Sequence, residues 1–233
     1  MRGNENRLSR DTMTDTADTL PAGLPTDGAE LATYVAAKLC HDFVSPAGAI
    51  QSGLDLLNDP SAQDMRDDAL SLITDSATKL IALIHYCRVA FGAATTSERF
   101  TASELKDLIA NMIHGGRATM DWRVSETDFA KPAARALANL AYLTAGALPS
   151  GGVATIASRR EGDRLILTGL AEGNRARLKP EAVVGLSGQR LTEGLTGQWV
   201  QPYWLWLNVH EAGGALTVIA EEGRVAFEAR LPQ

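Results

Sequence analysis

The sequence predicts an α + α/β protein: a long helical hairpin that closes into a four-helix bundle when two chains meet, followed by an α/β sandwich. Three observations predict it. Apolar residues recur at helical spacing from Glu30 to Leu57 and again from Ala62 to Phe91. Only a short turn around Pro60 separates these runs. From about Ser97, short β-type runs punctuated by glycine alternate with further helical patterns, as in a two-layer α/β arrangement. The chain has 233 residues, 45% of them hydrophobic, enough to bury a core.

Residues 1–28 are expected to form a disordered tail. They contain no aromatic residue, and Leu8, Leu20 and Leu24 follow no period. The hairpin occupies residues 29–93. In its first helix Leu31, Val35, Leu39, Phe43, Ile50, Leu54 and Leu57 form one stripe, with Asp27 or Gly28 at the N-cap position. Pro60 ends this helix, since it cannot continue it and biases Asp59 away from α. At about 1.5 Å per residue the helix is roughly 40 Å long. The second carries Leu70, Ile73, Ala77, Leu80, Ile84, Cys87 and Phe91, with Gly92 as terminator. One hairpin cannot cover both stripes, so pairing of two hairpins is the expected outcome.

Residues 94–233 make the α/β domain. Helices are expected over 103–114, from Pro132 to about Leu148, and over 201–212. Strands are expected over 118–124, 153–158, 164–168, 215–220 and 224–231. The turns fall at Glu161-Gly162-Asp163 and Glu222-Gly223.

Twenty-two basic against 28 acidic residues give a net charge of −6. That balance argues against a nucleic-acid binder and against charge-driven attachment to a membrane. No apolar run approaches the ~18 residues of a membrane span. Arg2, Arg7 and Arg10 are followed by no apolar signal region. Cys40 and Cys87 make no disulfide framework, and a reduced cytoplasmic protein is expected.

Of the four histidines, His41 has an informative setting: Cys40-His41-Asp42-Phe43-Val44-Ser45-Pro46. At 100° per residue, His41 points roughly 160° from the stripe centre. Lys38, Ser45, Gly48 and Ser52 are expected to share its open face. Asp42 can hold one imidazole nitrogen and leave the other as nucleophile. Ser45, one turn on, can support an incoming phosphoryl group or water. Pro46 removes a donor in mid-helix, at the expense of the Asp42 carbonyl. Cys40 and His41 diverge by about 100°, which speaks against a metal pair. His85, His114 and His210 carry no constellation. Arg88, one residue beyond Cys87, is read as pairing either with an acidic partner or with a nearby Glu or Asp. Trp199, Tyr203, Trp204 and Trp206 cluster before the last helix.

The motif H-D-x-x-S-P at the head of a long hairpin resembles the phosphoacceptor box of bacterial sensor histidine kinases. Ala138 to Leu143 resembles their N-box, with Asn139 kept and Leu143 in place of the second Asn. Ala171-Glu172-Gly173-Asn174-Arg175 falls where the kinases carry D-x-G-x-G, so Ala171 stands for the adenine-reading Asp. Trp199-Val200-Gln201-Pro202 falls where their glycine-rich lid covers the phosphates. The four aromatic residues nearby are expected to fill the vacated nucleotide space. The second domain thus resembles a degenerate, Bergerat-like ATP-binding domain.

Together with Leu39-Cys40-His41-Asp42, Arg88 to Ala93 and Asn139 to Gly152, these features resemble the ChpT-type histidine phosphotransferases of alphaproteobacteria, over roughly residues 29 to 233. The resemblance implies a homodimer and a cell-cycle phosphorelay. A phosphoryl group would pass from the receiver domain of a hybrid kinase to His41, then to response-regulator receivers. Phosphoryl transfer needs a nucleophile and charge neutralisation. His41, Asp42 and Ser45 supply the first, and the receiver partner supplies its carboxylate and Mg²⁺. No cofactor and no metal are expected on this chain. An ATP-dependent sensor kinase and a non-catalytic pseudo-kinase scaffold are the alternatives.

Overall fold

The computed structural model describes residues 28–92 and 99–232; residues 1–27 of the expected tail and the expected domain boundary at residues 93 and 94 lie outside them, while Gly28, the last residue of that tail, is the first of a helix. Helix α1 spans Gly28–Asn58 and runs unbroken through Pro46. A 3₁₀ turn at Gln63–Met65 leads into α2, Arg66–Ala90, which starts later than expected. Gly92 then takes a positive φ of 69°, ending the helix as its lack of a Cβ allows.

The expected stripes and the observed seam differ. On α2 the buried positions are Ala69, Ser76, Leu83, Tyr86, Cys87, Val89 and Ala90, whereas Leu70 and Ile84 are exposed. Leu54 of α1 is exposed as well. Small residues explain this. Gly53 is buried where the helices meet, and a Cβ there would lie 2.6 Å from Ile73 Cγ1 and 3.1 Å from the Ala69 carbonyl. The helices close on Gly53, Ala69, Ile73 and Ser76, while Leu54, Leu70 and Ile84 stay outside.

Two short strands, β1 (Arg99–Thr101) and β3 (Asp128–Ala130), pair antiparallel and were not legible in the sequence. Between them lie α3, Ala102–Ile113, and β2, Ala118–Arg123. A capping box starts α3: the Thr101 hydroxyl accepts from the Glu104 amide while Glu104 accepts from the Thr101 amide. Helix α4, Lys131–Gly146, opens with proline in its first turn, as expected.

The five-stranded sheet has the order β2-β4-β5-β7-β6. Strands β4 (Gly152–Glu161) and β5 (Arg164–Glu172) form the expected hairpin, extended at both ends. Strands β6 (Ala215–Glu221) and β7 (Arg224–Pro232) form the second. All neighbours are antiparallel except β2 and β4. Helix α5, Pro180–Leu186, is an addition to the expected elements.

Helix α6 spans Thr196–Glu211 and begins well before Gln201. Trp199 to Pro202 is therefore helix and not a loop. No side chain caps its start at Leu195, and Pro202 sits inside it, so the sequence carries no local start signal there.

Helix α4 is the centre of the molecule. Ala134, Leu137, Ala138, Leu140 and Ala141 are buried against the sheet on one side and neighbouring helices on the other. The last turns of α2 enter the same core through Leu83, Tyr86, Cys87, Val89, Ala90 and Phe91. The N-terminal half of α1 lies on α6, where Leu31, Tyr34 and Val35 pack around Trp199, Val200 and Tyr203. Glu30 reinforces this contact through Arg190 Nη2, 2.6 Å away. These contacts place the middle of α1 beside the C-terminal half of α4.

Candidate active site

His41 lies on α1 with its side chain 88% exposed, as its angle to the apolar stripe predicts. Its Nδ1 is 3.2 Å from Asp42 Oδ1. A carboxylate oxygen only accepts, so Nδ1 is the donor in this contact, and in the neutral tautomer that makes it, Nε2 carries the lone pair. Ser45 is exposed one turn on, beside Val44, itself 68% exposed. Gly48 and Ser52 are also exposed. Pro46 is buried, so its ring has a packing role besides the donor it removes.

Lys38 departs from expectation. It is only 8% exposed and points inward, where its ammonium donates to Asp42 Oδ2 at 2.6 Å. The same ammonium lies 5.8 Å from the centre of the Tyr142 ring on α4. Its spacing to Asp42 is i, i+4, the one signal that could have announced the pair in the sequence. Tyr142 packs against Tyr86, with ring centres 5.3 Å apart. The Tyr86 hydroxyl accepts from Gln201 Nε2 at 2.7 Å. Burial raises the pKa of both tyrosines, so they stay neutral. Burial, with the negative charge of Asp42 adding to it, pushes the Cys87 thiol up to about 12.

A cleft of about 420 Å³ opens next to His41. Its walls are α1 at Lys38, His41 and Asp42, α4 from Tyr142 to Ala147, the segment from Arg177 to Ala182, and the first turns of α6. None of Trp199, Tyr203, Trp204 and Trp206 lines it. Trp199 stacks on Tyr203 and meets Tyr34 edge-on, while the Trp204 indole donates to the Ala90 carbonyl. They join α6 to the hairpin.

Asn139 does not line the cleft either. It is fully buried, and its amide donates to the carbonyls of Ala90 and Arg135, each at 2.9 Å. Ala171 is buried within β5, opposite Ala154 and Val225. Arg88 is exposed beside a groove that Glu104 also lines. His85, His114 and His210 are exposed, and His210 stacks on Trp206.

Residues 102–224, more than half of the chain, match the model of the histidine phosphotransferase C-terminal domain. The chain belongs to this histidine phosphotransferase family. A curated relative, the protein phosphotransferase ChpT of Brucella abortus (strain 2308), is 29% identical over 205 residues, covering 86% of this chain and 95% of that protein. A bacterial phosphotransferase solved at 1.7 Å superposes with a TM-score of 0.78 at 24% identity, covering 89% of this chain and 99% of that one. That likeness is one of fold. The ChpT-type resemblance read from the sequence is thereby borne out, and so is the fold class of helical hairpin followed by α/β domain. The phosphotransferase domain supplies the face of α4 against which the His41 segment of α1 is set.

Proposed function

We propose that this chain is a histidine phosphotransferase whose phosphoacceptor is His41. The observation that carries the reading is the exposed imidazole with Nδ1 held by Asp42 and Nε2 free. Family membership and the Brucella phosphotransferase support it. In the forward step, Nε2 attacks the phosphorus of a receiver aspartyl phosphate. An N–P bond forms as the acyl P–O bond breaks, and the receiver recovers its carboxylate. The receiver brings Mg²⁺ to neutralise the phosphoryl oxygens; Asp42 keeps the ring in one tautomer, and exposed Ser45 stands beside the arriving group. The reverse step loads a response-regulator receiver. The donor is the receiver of a hybrid histidine kinase, and neither step uses ATP.

The working form is a homodimer. Leu70, Ile81 and Ile84 are exposed within about 60° of one another around α2, as a bundle seam requires. No described helix is long and apolar enough to cross a membrane. We place the relay in the cytoplasm, where receiver partners reside.

Incubation with a phosphorylated receiver, followed by mapping of the labelled residue, tests the reading. Label is expected on His41 and none on a folded His41→Gln variant. Label elsewhere overturns the assignment. Label acquired from ATP without a receiver restores the sensor-kinase alternative, and no label from any receiver favours the scaffold.

A further inference from the structure

The geometry points to Lys38 as a positioning residue for the phosphoacceptor, itself held by Tyr142 of the α/β domain. The inference rests on His41 being the phosphoacceptor. Three placements carry it. Lys38 is buried, although it lies on the helix that presents His41 to solvent. Its ammonium is 2.6 Å from one oxygen of Asp42, while the other oxygen lies 3.2 Å from His41 Nδ1. The ring of Tyr142, from another element, lies 5.8 Å from the same ammonium.

A buried lysine is uncommon, because the ammonium leaves water at a cost that a single ion pair seldom repays. An apolar side chain would pack α1 against α4 at least as well. Stability alone therefore does not explain the charge. Orientation does. His41 and Asp42 are neighbours and diverge by about 100° around the helix. Asp42 reaches Nδ1 only if its carboxylate is turned back toward His41. The bond from Lys38 anchors Oδ2 in the interior and leaves Oδ1 aimed at the imidazole. The Tyr142 face attracts the ammonium and holds it at that spot. The direction in which Nε2 points thus depends on α4 remaining docked on α1, which makes the α/β domain a part of the transfer site.

The test compares the full-length wild type with Lys38→Met, Lys38→Arg and Tyr142→Leu. Each is assayed for phosphoryl transfer from a phosphorylated receiver and for the imidazole ¹⁵N spectrum of His41. Lys38→Met is expected to lower kcat about tenfold or more with KM for the receiver unchanged, since misorientation acts on the chemical step. Its spectrum is expected to move from the Nδ1-protonated tautomer toward a mixture. Lys38→Arg keeps a charged donor and is expected to restore the tautomer and most of the rate. Tyr142→Leu leaves Lys38 in place and is expected to move both readouts in the direction of Lys38→Met. Should Lys38→Met lose its helical circular dichroism, Tyr142→Leu decides. A wild-type tautomer and kcat in both Lys38→Met and Tyr142→Leu would overturn the inference, as would a change confined to KM. If wild-type label maps away from His41, the functional reading fails, and the tautomer comparison still decides whether Lys38 orients the ring.

Discussion

The side-chain amide of Asn139 donates to the Ala90 carbonyl, 2.9 Å away, and so ties α4 to the last turn of α2. A second bond reaches the Arg135 carbonyl, and Asn139 Oδ1 accepts from Gln201 on α6 at 3.4 Å. One buried side chain thus joins three helices. Asn139→Ala should remove these ties and cost about 1–2 kcal/mol, a moderate loss because the Ala90 carbonyl keeps the Trp204 indole and Gln201 keeps the Tyr86 hydroxyl. Urea unfolding followed by circular dichroism checks this; an unchanged midpoint would show that the amide adds nothing.

The same bonds bear on nucleotide. Asn139 is occupied, Ala171 offers only a methyl group inside the sheet, and Trp199 to Pro202 lies within α6, where backbone N–H groups serve the helix. No saturable binding of ATP with Mg²⁺ is expected in calorimetry at millimolar nucleotide, and no phosphate on His41 from ATP. A sub-millimolar isotherm would contradict both.

Two glycines of α1 should respond in opposite ways. A Cβ at Gly53 meets Ile73 and the Ala69 carbonyl, whereas a Cβ at Gly48 meets nothing within 4 Å. Gly53→Val should destabilise by about 1–3 kcal/mol through overpacking. Gly48→Ala should stabilise by about 0.5–1 kcal/mol, by lowering the entropy that the helix costs. Thermal melts of the two variants against wild type decide, and equal shifts would refute the close approach at Gly53.

Ile81 is 56% exposed on the single chain. Ile81→Asp should therefore retain the fold but lose the dimer, because a charge is costly only if the partner covers it. Light scattering should show twice the chain mass of 24.8 kDa for wild type and the chain mass for the variant. A monomeric wild type at micromolar concentration would remove the four-helix bundle.

The two cysteines should separate by reactivity. Cys40 is exposed, whereas Cys87 is buried with its thiol pushed up to about 12. Iodoacetamide on the native protein should modify Cys40 and spare Cys87 until the chain unfolds. The thiol ionises near 9.0 without the fold and near 12 within it, so between these values the folded chain holds the extra proton. Stability from this group is full below the lower value and falls as pH rises through the window. Cys87→Ala should flatten that alkaline loss in urea midpoints.

What the sequence determined by itself was written in local patterns. The hairpin followed from period and from Pro60, its end from Gly92, the two β-hairpins from Gly162 and Gly223, and the outward face of His41 from helical angle alone. Each depends on neighbours within a few residues, where propensity and periodicity act. The start of α6 escaped because Leu195 offers no cap and Pro202 imitates a break. The tertiary structure alone decided which side chains close the hairpin, since Gly53 and Ala69 let the backbones approach and leave Leu54, Leu70 and Ile84 outside. It alone turned Lys38 inward, because Tyr142, far along the chain, supplies the face that receives the ammonium. It also made Asn139 a tie between helices and set the aromatic residues of α6 on the hairpin, leaving the cleft beside His41 open. Burial, ion pairing and hydrogen-bond satisfaction are set by groups brought together only when the chain has folded, and no window of sequence contains both partners.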